Sequence, residues 1–327
     1  MKSLGKLRKI FAVGVTVLMA VSLFAGCGDE KKSADSGKSS NVAEDIAAIK
    51  KRGVLRVGVK NSTKGFGYQD PATGKFTGLE VDLGEALAKK LGVDVEYTPV
   101  TAATRTALLD SGDIDMVAAT FTITPERKKS WDFTTPYYTD HVGVLVEKAS
   151  NINSLADLKG KVVGVSSGST SAKALVEAMI KAKVIDGEGF DPKNFDAATW
   201  TKGVSFKQYA DYPAISTALT SGEVSAFCVD KSILAIYHTD DCTFIKEEFA
   251  PQDYGLATKK GSGMSKYCEE AVQGWLKDGT IKKLMAKYSQ VQTGQISSRK
   301  VNARREAAIL QICGQREGLP FSFNRRQ

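Results

Sequence analysis

The sequence predicts an α/β protein made of two similar lobes with a cleft between them. Residues 54–119 carry a β-α-β-α-β series, which indicates a parallel sheet covered by helices. The same alternation of strands and helices begins again after residue 155. Two segments, Val142–Val146 and Ala250–Ala257, are expected to carry the chain from one lobe to the other and back. Two crossings of this kind form a hinge.

The elements of the first lobe follow from residue periodicity. Val54–Val59 alternates apolar and polar residues, as a strand does. Apolar residues recur at helical spacing over Val81–Leu91, and the helix is expected to end at Gly92. Asn41 and Glu44 resemble a capping box, which predicts a helix from Asn41 onward. The other predicted elements are the strands Val93–Val100 and Ile114–Ala119 and the short helix Thr104–Leu109.

The second lobe repeats this pattern. Gly168 follows the strand Val162–Val165 and opens the helix Ser171–Lys181. The other elements are the short helix Leu155–Leu158, a strand ending at Phe206, the helix Tyr212–Leu219 and the strand Val224–Val229. After the return crossing, Ser265–Trp275 and Thr280–Tyr288 complete the first lobe. The first lobe is therefore expected to comprise residues 46–142 and 251–294, and the second lobe residues 143–250.

The N-terminus has the pattern of an export signal, predicted to occupy residues 1–26. Basic residues in Lys2–Lys9 precede the apolar run Ile10–Phe24, which is shorter than the roughly 20 residues of a membrane span. The small pair Ala25–Gly26 and then Cys27 resemble the lipobox of bacterial lipoproteins. That resemblance implies that Cys27 is lipidated and anchors the protein to the membrane. A plain secretory signal and an uncleaved anchor are the alternatives.

The segment that follows the signal predicts a tether. Residues 27–45 are rich in Ser, Gly and charged residues and nearly lack apolar ones. Such a composition cannot bury enough surface to become ordered. We therefore expect a flexible link between the lipid and the folded body.

The net charge of +8 is concentrated at the two ends of the chain. Residues 1–26 carry four basic and no acidic residues, and residues 295–327 carry seven basic and two acidic ones. The body between them is nearly neutral, whereas a nucleic-acid binder needs a basic patch on its folded surface. Nucleic acid is therefore excluded as a partner. Residues 295–327 form an atypical tail with no predicted place in the fold.

The cysteines of the body do not have the close paired spacing of a zinc site. They are Cys228, Cys242, Cys268 and Cys313. Export permits disulfides, and Cys228–Cys242 is the favoured pair. Isolated buried thiols are the alternative.

Hydroxyl and charged side chains follow three predicted strands at the point where each strand ends. They are Thr120, Thr122 and Arg127 after Ile114–Ala119, Ser169 and Thr170 after Val162–Val165, and Asp230 after Val224–Val229. Ligand-binding groups collect at the carboxyl ends of strands in α/β domains. A free amino acid needs an arginine and hydroxyl or N–H donors for its carboxylate, and an acceptor for its ammonium. Turns, helix caps and solvated charges are the structural alternatives for these residues.

Several ordered motifs resemble one protein family over residues 53–288. They are Gly78–Leu83 (GLEVDL), Ala119–Arg127 (ATFTITPER), Phe133–Tyr138 (FTTPYY), Asp157–Lys161 (DLKGK), Val163–Thr170 (VGVSSGST) and Val229–Ser232 (VDKS). The sequence is similar to the extracellular solute-binding proteins of family 3, which serve ABC transporters for polar amino acids. The resemblance implies the periplasmic-binding-protein type II fold and an extracytoplasmic protein without a cofactor. The implied partners are an amino acid and the ABC permease with its ATPase.

The resemblance also implies roles for individual residues. Arg127 is expected to pair with the α-carboxylate of the ligand, and Thr122 and Thr170 to donate hydrogen bonds to it. Asp230 is expected to accept from the α-ammonium, joined by the Thr120 region. The remaining implied contacts are backbone N–H groups around Ser169 and apolar walls from Phe66 and Phe121.

The choice of amino acid depends mainly on Arg105. The segment Thr104–Gly112 resembles the one that brings an arginine to the side-chain carboxylate in aspartate and glutamate binders of this family, and Tyr209–Pro213 and Phe249–Gly255 also resemble that subgroup. A second arginine in the cleft favours a second carboxylate on the ligand. We therefore expect glutamate or aspartate. Alternatively, Arg105 braces the hinge or contacts a neutral amide such as glutamine.

Enzymatic function is the main rival class, because dehydratases occur on related folds. The sequence has two histidines, His141 and His238, and neither lies beside residues that would form a nucleophile–base pair. We expect a binding protein with no catalytic or metal-binding residues. A sensing or adhesin role on the same ligand-binding body is a further alternative.

Overall fold

The computed structural model describes residues 38–292, with side chains from residue 44 to residue 288. The predicted signal peptide, the lipidation at Cys27 and the tail from residue 295 lie outside the described residues. None of the helices within residues 38–292 combines the length and the apolar composition needed to cross a membrane.

The described chain alternates strands and helices along its length. The α-helices are α1 Lys38–Arg52, α2 Leu79–Leu91, α3 Arg105–Ser111, α4 Arg127–Ser130, α5 Ser171–Lys181, α6 Tyr212–Thr220, α7 Lys231–Tyr237, α8 Gly263–Lys277 and α9 Thr280–Gln292. Short 3₁₀ helices span Lys148–Ser150 and Leu155–Leu158. The strands are β1 Val54–Val59, β2 Ser62–Thr63, β3 Gly67–Gln69, β4 Phe76–Thr77, β5 Asp94–Pro99, β6 Met116–Ala118, β7 Trp131–Phe133, β8 Tyr138–Glu147, β9 Val162–Ser166, β10 Ser205–Tyr209, β11 Ala226–Asp230, β12 Cys242–Phe244, β13 Phe249–Tyr254 and β14 Ala257–Lys259.

The first sheet has the strand order β5-β1-β6-β14-β7. Its strands β5, β1 and β6 are parallel, as the β-α-β-α-β pattern predicts, and β14 runs antiparallel to β6 and β7. The apolar face of α2 packs on this sheet and buries Leu83 and Leu87 completely. Gly92 ends α2 in the left-handed conformation expected of a helix C-terminus.

The second sheet repeats the arrangement of the first. Its order is β10-β9-β11-β8-β12, with β13 pairing to β8. Strands β10, β9 and β11 are parallel, and β8 is antiparallel to β11. In each sheet the second strand of the parallel set lies at the edge and the first lies in the middle. The restart of the sequence pattern after residue 155 therefore corresponds to a second sheet of the same topology.

Two long strands connect the sheets. The chain leaves the first sheet after β7 and enters β8, and it leaves β13 to return through β14. Strands β8 and β13 pair antiparallel from Tyr138 opposite Tyr254 to Val142 opposite Phe249, with an irregularity between Phe249 and Pro251. The crossing predicted at 142–146 lies within β8, and the one predicted at 250–257 runs from β13 to the first residue of β14.

The structure corrects three details of the sequence interpretation. Helix α1 begins at Lys38, so the tether predicted to reach residue 45 already includes helix from Lys38 onward. Ile46 and Ile49 pack against the core and anchor the later half of α1. Because adding residues to a formed helix costs little, the helix extends from there back to Lys38. Cys228, Cys242 and Cys268 are free and buried, so the favoured Cys228–Cys242 disulfide is absent and the alternative of isolated thiols is confirmed for these three. The small sheet β2-β3-β4 was not predicted.

Gly78 provides a test of the packing at the start of α2. Its φ of 138° and ψ of 169° lie in a region open almost only to glycine, and an added Cβ would lie 2.0 Å from the carbonyl oxygen of Phe66. We expect Gly78→Ala to lower the free energy of unfolding by at least about 3 kcal/mol. Urea denaturation of the purified protein measures this change.

Gly74→Ala is the matched control for this substitution. Gly74 also has a positive φ, of 70°, but no atom lies within 4 Å of the added Cβ. Only backbone strain of about 1–2 kcal/mol is therefore expected. Equal losses in the two variants would contradict the argument from close approach.

Candidate functional site

A cavity lies where strands of both sheets end. Its volume in this structure is only about 10 Å³, roughly the space of one water molecule. The lining residues are Ala102, Arg105, Thr120, Thr122, Arg127, Ser169, Thr170, Ser171, Tyr212, Val229 and Asp230. Seven of the nine residues expected to bind ligand are among them. The cavity therefore brings together side chains from both halves of the chain, as expected if binding groups collect at the carboxyl ends of strands.

The loop after β6 is held by a buried carboxylate. Thr120 has a φ of 44°, which is strained for a β-branched residue. Its backbone N–H donates to Glu80 Oε1 at 2.5 Å, and the Tyr137 hydroxyl donates to the same oxygen. Glu80 is fully buried, and burial raises the pKa of its carboxyl. Glu80 belongs to the GLEVDL motif, so this motif holds the loop after β6 through a hydrogen bond to its backbone.

Arg105 lies at the first position of α3 and is 2% exposed. Its Nη1 donates to the backbone oxygen of Ala119 at 2.8 Å, and its guanidinium carbon lies 3.8 Å from the centre of the Phe121 ring. The Arg105 Nε atom is buried without a hydrogen-bond partner among the described residues. Burial lowers the pKa of Arg105 to about 10. The side chain is thus held firmly and keeps an unused donor.

Arg127 connects the two lobes. Its Nη1 donates to the backbone oxygen of Thr122 at 2.8 Å, and its Nη2 donates to the backbone oxygen of Gly168 at 3.1 Å. The guanidinium carbon lies 4.7 Å from the centre of the Phe121 ring. Burial, and secondarily the charge of Arg105, lowers the pKa of Arg127 to about 9. The aromatic ring of Phe121 therefore makes a cation–π contact with the guanidinium group of each arginine.

Gly168 allows the lobes to approach closely. Its φ is 75°, and an added Cβ would lie 2.9 Å from the backbone oxygen of Ala102. Ser169 and Thr170 follow it and precede α5, whose first residue is Ser171. The N–H groups at a helix N-terminus favour negative charge. The Ser169 N–H donates to the backbone oxygen of Ser166 at 3.1 Å and the Ser171 N–H to Ser169 Oγ at 3.4 Å, so this turn offers an anion mainly the Thr170 N–H and the helix dipole.

The hydroxyls of Thr122 and Thr170 meet at one oxygen. Thr122 Oγ1 donates to Gln252 Oε1 at 2.8 Å, and Thr170 Oγ1 donates to the same atom at 2.7 Å. Gln252 lies on β13, one of the connecting strands, and is 4% exposed. One residue from each lobe is thus tied to a strand that joins the lobes.

Asp230 ends β11 and is buried beside a second carboxylate. The Tyr254 hydroxyl donates to Asp230 Oδ2, and Asp140 lies close enough to repel its charge. Burial and then Asp140 raise the pKa of Asp230 to about 7, and Tyr254, Arg105 and Arg127 act in the opposite direction. A cation that reaches Asp230 would favour its ionised form.

Lys60 is a buried cation that the sequence interpretation missed. It follows β1 directly, is 4% exposed, and its Nζ lies 5.1 Å from the centre of the Tyr212 ring. Burial, and then repulsion from Arg105, lowers the pKa of Lys60 to about 7. Within residues 44–288 its ammonium has no hydrogen bond or ion pair, although Glu80 and Asp230 attract it weakly. Tyr212 and Arg105 both line the cavity, and Lys60 lies behind the lining, near enough to Arg105 for their charges to repel.

Two predicted residues lie outside the lining of the cavity. Phe66 is fully buried and packs edge-on against Tyr138 at 5.0 Å and Tyr254 at 5.8 Å, measured between ring centres. Phe121 lies behind the two arginines. The missed residues with a clear position are Lys60, Glu80, Tyr212 and Gln252. The sequence offered a signal for Lys60, because this residue directly follows the strand β1. Thr120 and Asp230 were predicted from the same kind of position at the end of a strand.

Comparison with known proteins assigns the chain to a family. Residues 55–291 match the model of the bacterial extracellular solute-binding proteins, family 3. The ABC transporter glutamine-binding protein of Bacillus subtilis is 32% identical over 86% of this chain and 97% of its own length. The L-cystine-binding protein of Escherichia coli is 33% identical over 83% of this chain and 92% of its own length. The solved structure of an ancestral arginine-binding protein bound to arginine is 34% identical, with a TM-score of 0.61 over 72% of this chain and 98% of the other.

These similarities confirm the predicted family and its type II binding-protein fold. They also confirm that the chain is not an enzyme, since the family and these relatives are solute-binding proteins. The relatives bind different amino acids, and none of the three is a glutamate or aspartate binder by its name. The expectation of an acidic ligand therefore gains no support from them, and the glutamine alternative fits better. The chain belongs to family 3 of the bacterial extracellular solute-binding proteins.

Proposed function

We propose that this protein binds a polar L-amino acid in the cavity between its lobes and delivers it to an ABC transporter. One observation carries this proposal: Arg127 and Asp230, opposite charges from different lobes, line the same small cavity. An α-amino acid carries one carboxylate and one ammonium on adjacent atoms, so it complements this pair. The relatives named above, which bind glutamine, cystine or arginine, support the same class of ligand.

The α-carboxylate belongs beside Arg127 and the start of α5. Arg127 supplies a planar guanidinium, and the Thr170 N–H adds a donor at a helix N-terminus. The α-ammonium belongs beside Asp230, which Tyr254 holds in place. The strained Thr120 loop lies between these groups and lines the same cavity.

The side chain of the ligand then points toward Arg105, Tyr212 and Lys60. Arg105 Nε is an unpaired donor, and the Lys60 ammonium has no acceptor among the described residues. Donors of this kind need an oxygen acceptor, because a buried polar group without a partner is costly. A carboxamide oxygen at the end of a side chain satisfies this need. We therefore propose glutamine, in agreement with the similarity to the Bacillus subtilis protein.

Glutamate is the second candidate. It is favoured because the buried cations Arg105 and Lys60 have no ion-pair partner among the described residues. A side-chain carboxylate would compensate the positive charges of Arg105 and Lys60 better than an amide does. Because burial lowers the pKa of Lys60 to about 7, this amine is uncharged in roughly half of the molecules at neutral pH. A carboxylate then gains less over an amide as the side-chain group of the ligand.

Capture of the ligand works as a trap. Arg127 and the Thr120 loop belong to the first lobe, and Thr170 and Asp230 belong to the second. A ligand stabilises the closed arrangement only to the extent that both lobes touch it. An amino acid does so through its two charged groups. A wrong ligand that leaves Arg105 or Asp230 unpaired in the closed cavity costs several kcal/mol.

The location and partners follow from the same reasoning. We propose that residues 1–26 direct export, that Cys27 carries the lipid, and that the protein acts outside the cytoplasm beside a permease and its ATPase. The family description as extracellular solute-binding proteins and the ABC transporter relative support the location and the transporter partner, and the lipid anchor rests on the Ala25–Gly26–Cys27 pattern alone. Labelling of intact cells with a radioactive fatty acid tests the anchor, because Cys27→Ala should abolish incorporation.

Titration calorimetry of residues 28–294 against each common L-amino acid tests the ligand assignment. We expect glutamine to bind most tightly. Arg127→Ala should weaken binding by more than about 100-fold, because it removes a charge-assisted pair from a buried site. Arg127→Lys should recover only part of this loss, since lysine lacks the planar fork. Lys128→Ala, on the same helix but exposed, is the control and should bind as the wild type does.

Binding of another amino acid alone would keep the class of ligand and refute glutamine. Binding of none would refute transport of amino acids and favour the sensing or adhesin alternative on the same fold.

The role of Lys60 is tested by Lys60→Met, which keeps the length of the side chain and removes the donor. We expect glutamate binding to fall by at least about tenfold and glutamine binding to fall less, because only glutamate loses a charge pair. Lys64→Met, an exposed position nearby, should change neither. Equal losses for both ligands would show that Lys60 does not sense the charge of the side chain.

The pH dependence of binding tests the role of Asp230. Because its pKa is raised to about 7, Asp230 is mostly protonated in the free protein below pH 7 and must release a proton to hold an ammonium. Affinity should therefore rise by up to about tenfold per pH unit between pH 5 and 6.5 and level off above pH 7. Lys60→Met is the background for this measurement, since Lys60 titrates in the same range. Asp230→Asn in that background should bind weakly and show no such slope. A slope that persists in Asp230→Asn would assign the proton to another group.

A further inference from the structure

A second buried carboxylate lies directly behind Asp230. In the pairing of β11 with β8, Asp230 stands opposite Val142, and Asp140 lies two residues from Val142 on the same face of β8. Asp140 is 7% exposed. The Tyr254 hydroxyl lies between the two carboxylates, because it donates to Asp230 Oδ2 and its oxygen is also 3.4 Å from Asp140 Oδ2. A hydroxyl has one hydrogen, so the two carboxylates share a single donor there.

Neutral donors hold Asp140 in this position. Its Oδ2 accepts from the backbone N–H of Ser232 at 3.2 Å and from the Ser232 hydroxyl. Its Oδ1 accepts from the backbone N–H of His141 at 2.8 Å. No ion pair within residues 44–288 involves Asp140. Neutral donors fix a carboxylate without cancelling its charge, so the charge of Asp140 acts on Asp230.

The charges around Asp230 come from several elements of both lobes. The groups that face it are Asp140 on β8, Tyr254 on β13, Arg105 on α3, Arg127 on α4, Tyr212 on α6 and Lys60 after β1. Tyr138 on β8 faces both carboxylates. Burial raises the pKa values of these tyrosines and of the Cys228 thiol, so they stay protonated at neutral pH. Of the groups that face Asp230, only Asp140 carries the same charge as an ionised Asp230.

We propose that Asp140 is a positioning residue of the ammonium site, which strengthens the hold on the α-ammonium and sets the pH below which the ligand is released. This inference rests on the proposed function, in which Asp230 binds the ammonium. Two negative charges attract a cation more strongly than one does, and in a buried site this attraction reaches beyond direct contact. Without a cation the same charges repel each other, so Asp230 takes up a proton more readily. Asp140 therefore makes binding both stronger and more dependent on pH.

Asp140→Asn, which keeps the shape and removes the charge, is the direct test. At pH 8, where Asp230 is mostly ionised, we expect glutamine to bind about threefold to tenfold more weakly in titration calorimetry. Removal of a like charge lowers the pKa of Asp230, so the midpoint of the affinity profile should move down by about one pH unit. The loss of affinity should therefore shrink as the pH falls and disappear by about pH 5. The comparison is made in the Lys60→Met background, since Lys60 titrates in the same range.

Tyr254→Phe should move the profile in the opposite direction. It removes the hydroxyl that stabilises the ionised form of Asp230, so the midpoint should rise. General damage to the site would instead weaken binding by the same factor at every pH. Asp253→Asn is the control, because Asp253 lies next to the partner of Asp140 on β13 and so projects from the other face. A midpoint that stays in place in a folded Asp140→Asn protein, or that moves the same way as in Tyr254→Phe, would overturn the inference.

Carbon NMR of the wild-type protein, with the aspartate carboxyls labelled, decides the matter even where Asp140→Asn does not fold. Without ligand, the Asp140 carboxyl signal should shift over the pH range in which Asp230 titrates, because the two charges interact. Saturating glutamine should remove this shift, since Asp230 then stays ionised. An Asp140 signal that does not respond to the titration of Asp230 would refute the inference while leaving the proposed function intact. Failure of the wild type to bind any amino acid in calorimetry would instead refute the proposed function, and the inference with it.

Discussion

The binding site depends on one buried carboxylate. Glu80 lies beneath the loop after β6 and accepts the backbone N–H of Thr120, whose positive φ would otherwise cost about 1–3 kcal/mol. This hydrogen bond satisfies a buried backbone N–H that would otherwise lack a partner at the bend. This bond fixes the direction in which the chain leaves β6. Phe121, which supports both guanidinium groups, and Thr122 take their places from that direction. A residue of helix α2 therefore fixes the loop that carries several residues of the candidate site.

The buried charges around the cavity are costly to folding and suited to a zwitterion. Arg105, Arg127 and Lys60 all have pKa values lowered by burial, and Asp230 has one raised by burial. Each shift means that water would solvate the charged form better than the protein does. The described residues relieve this cost only in part, since Arg105 Nε has no partner. An amino acid supplies charges of both signs, so it relieves the cost at both ends of the site.

Sequence patterns predicted the parts of the molecule that repeat and missed those that depend on distant contacts. Strand alternation and helical periodicity predicted the parallel strands of both sheets, whereas β2 spans only Ser62–Thr63, too short for a periodic signal. The strand-end rule predicted Arg127 and Asp230 as lining residues. Gln252 was missed because its partner Thr122 is 130 residues away. Lys60 was missed because a lysine after a strand is usually solvated, and only the packed fold shows its burial.

The connecting strand β13 carries two residues that contact opposite ends of the candidate site. Gln252 and Tyr254 are two residues apart, so they project from the same face of this strand. Gln252 holds the hydroxyls beside the carboxylate position, and Tyr254 holds Asp230 at the ammonium position. Both ends of the candidate site are therefore tied by hydrogen bonds to a strand whose pairing with β8 joins the two sheets.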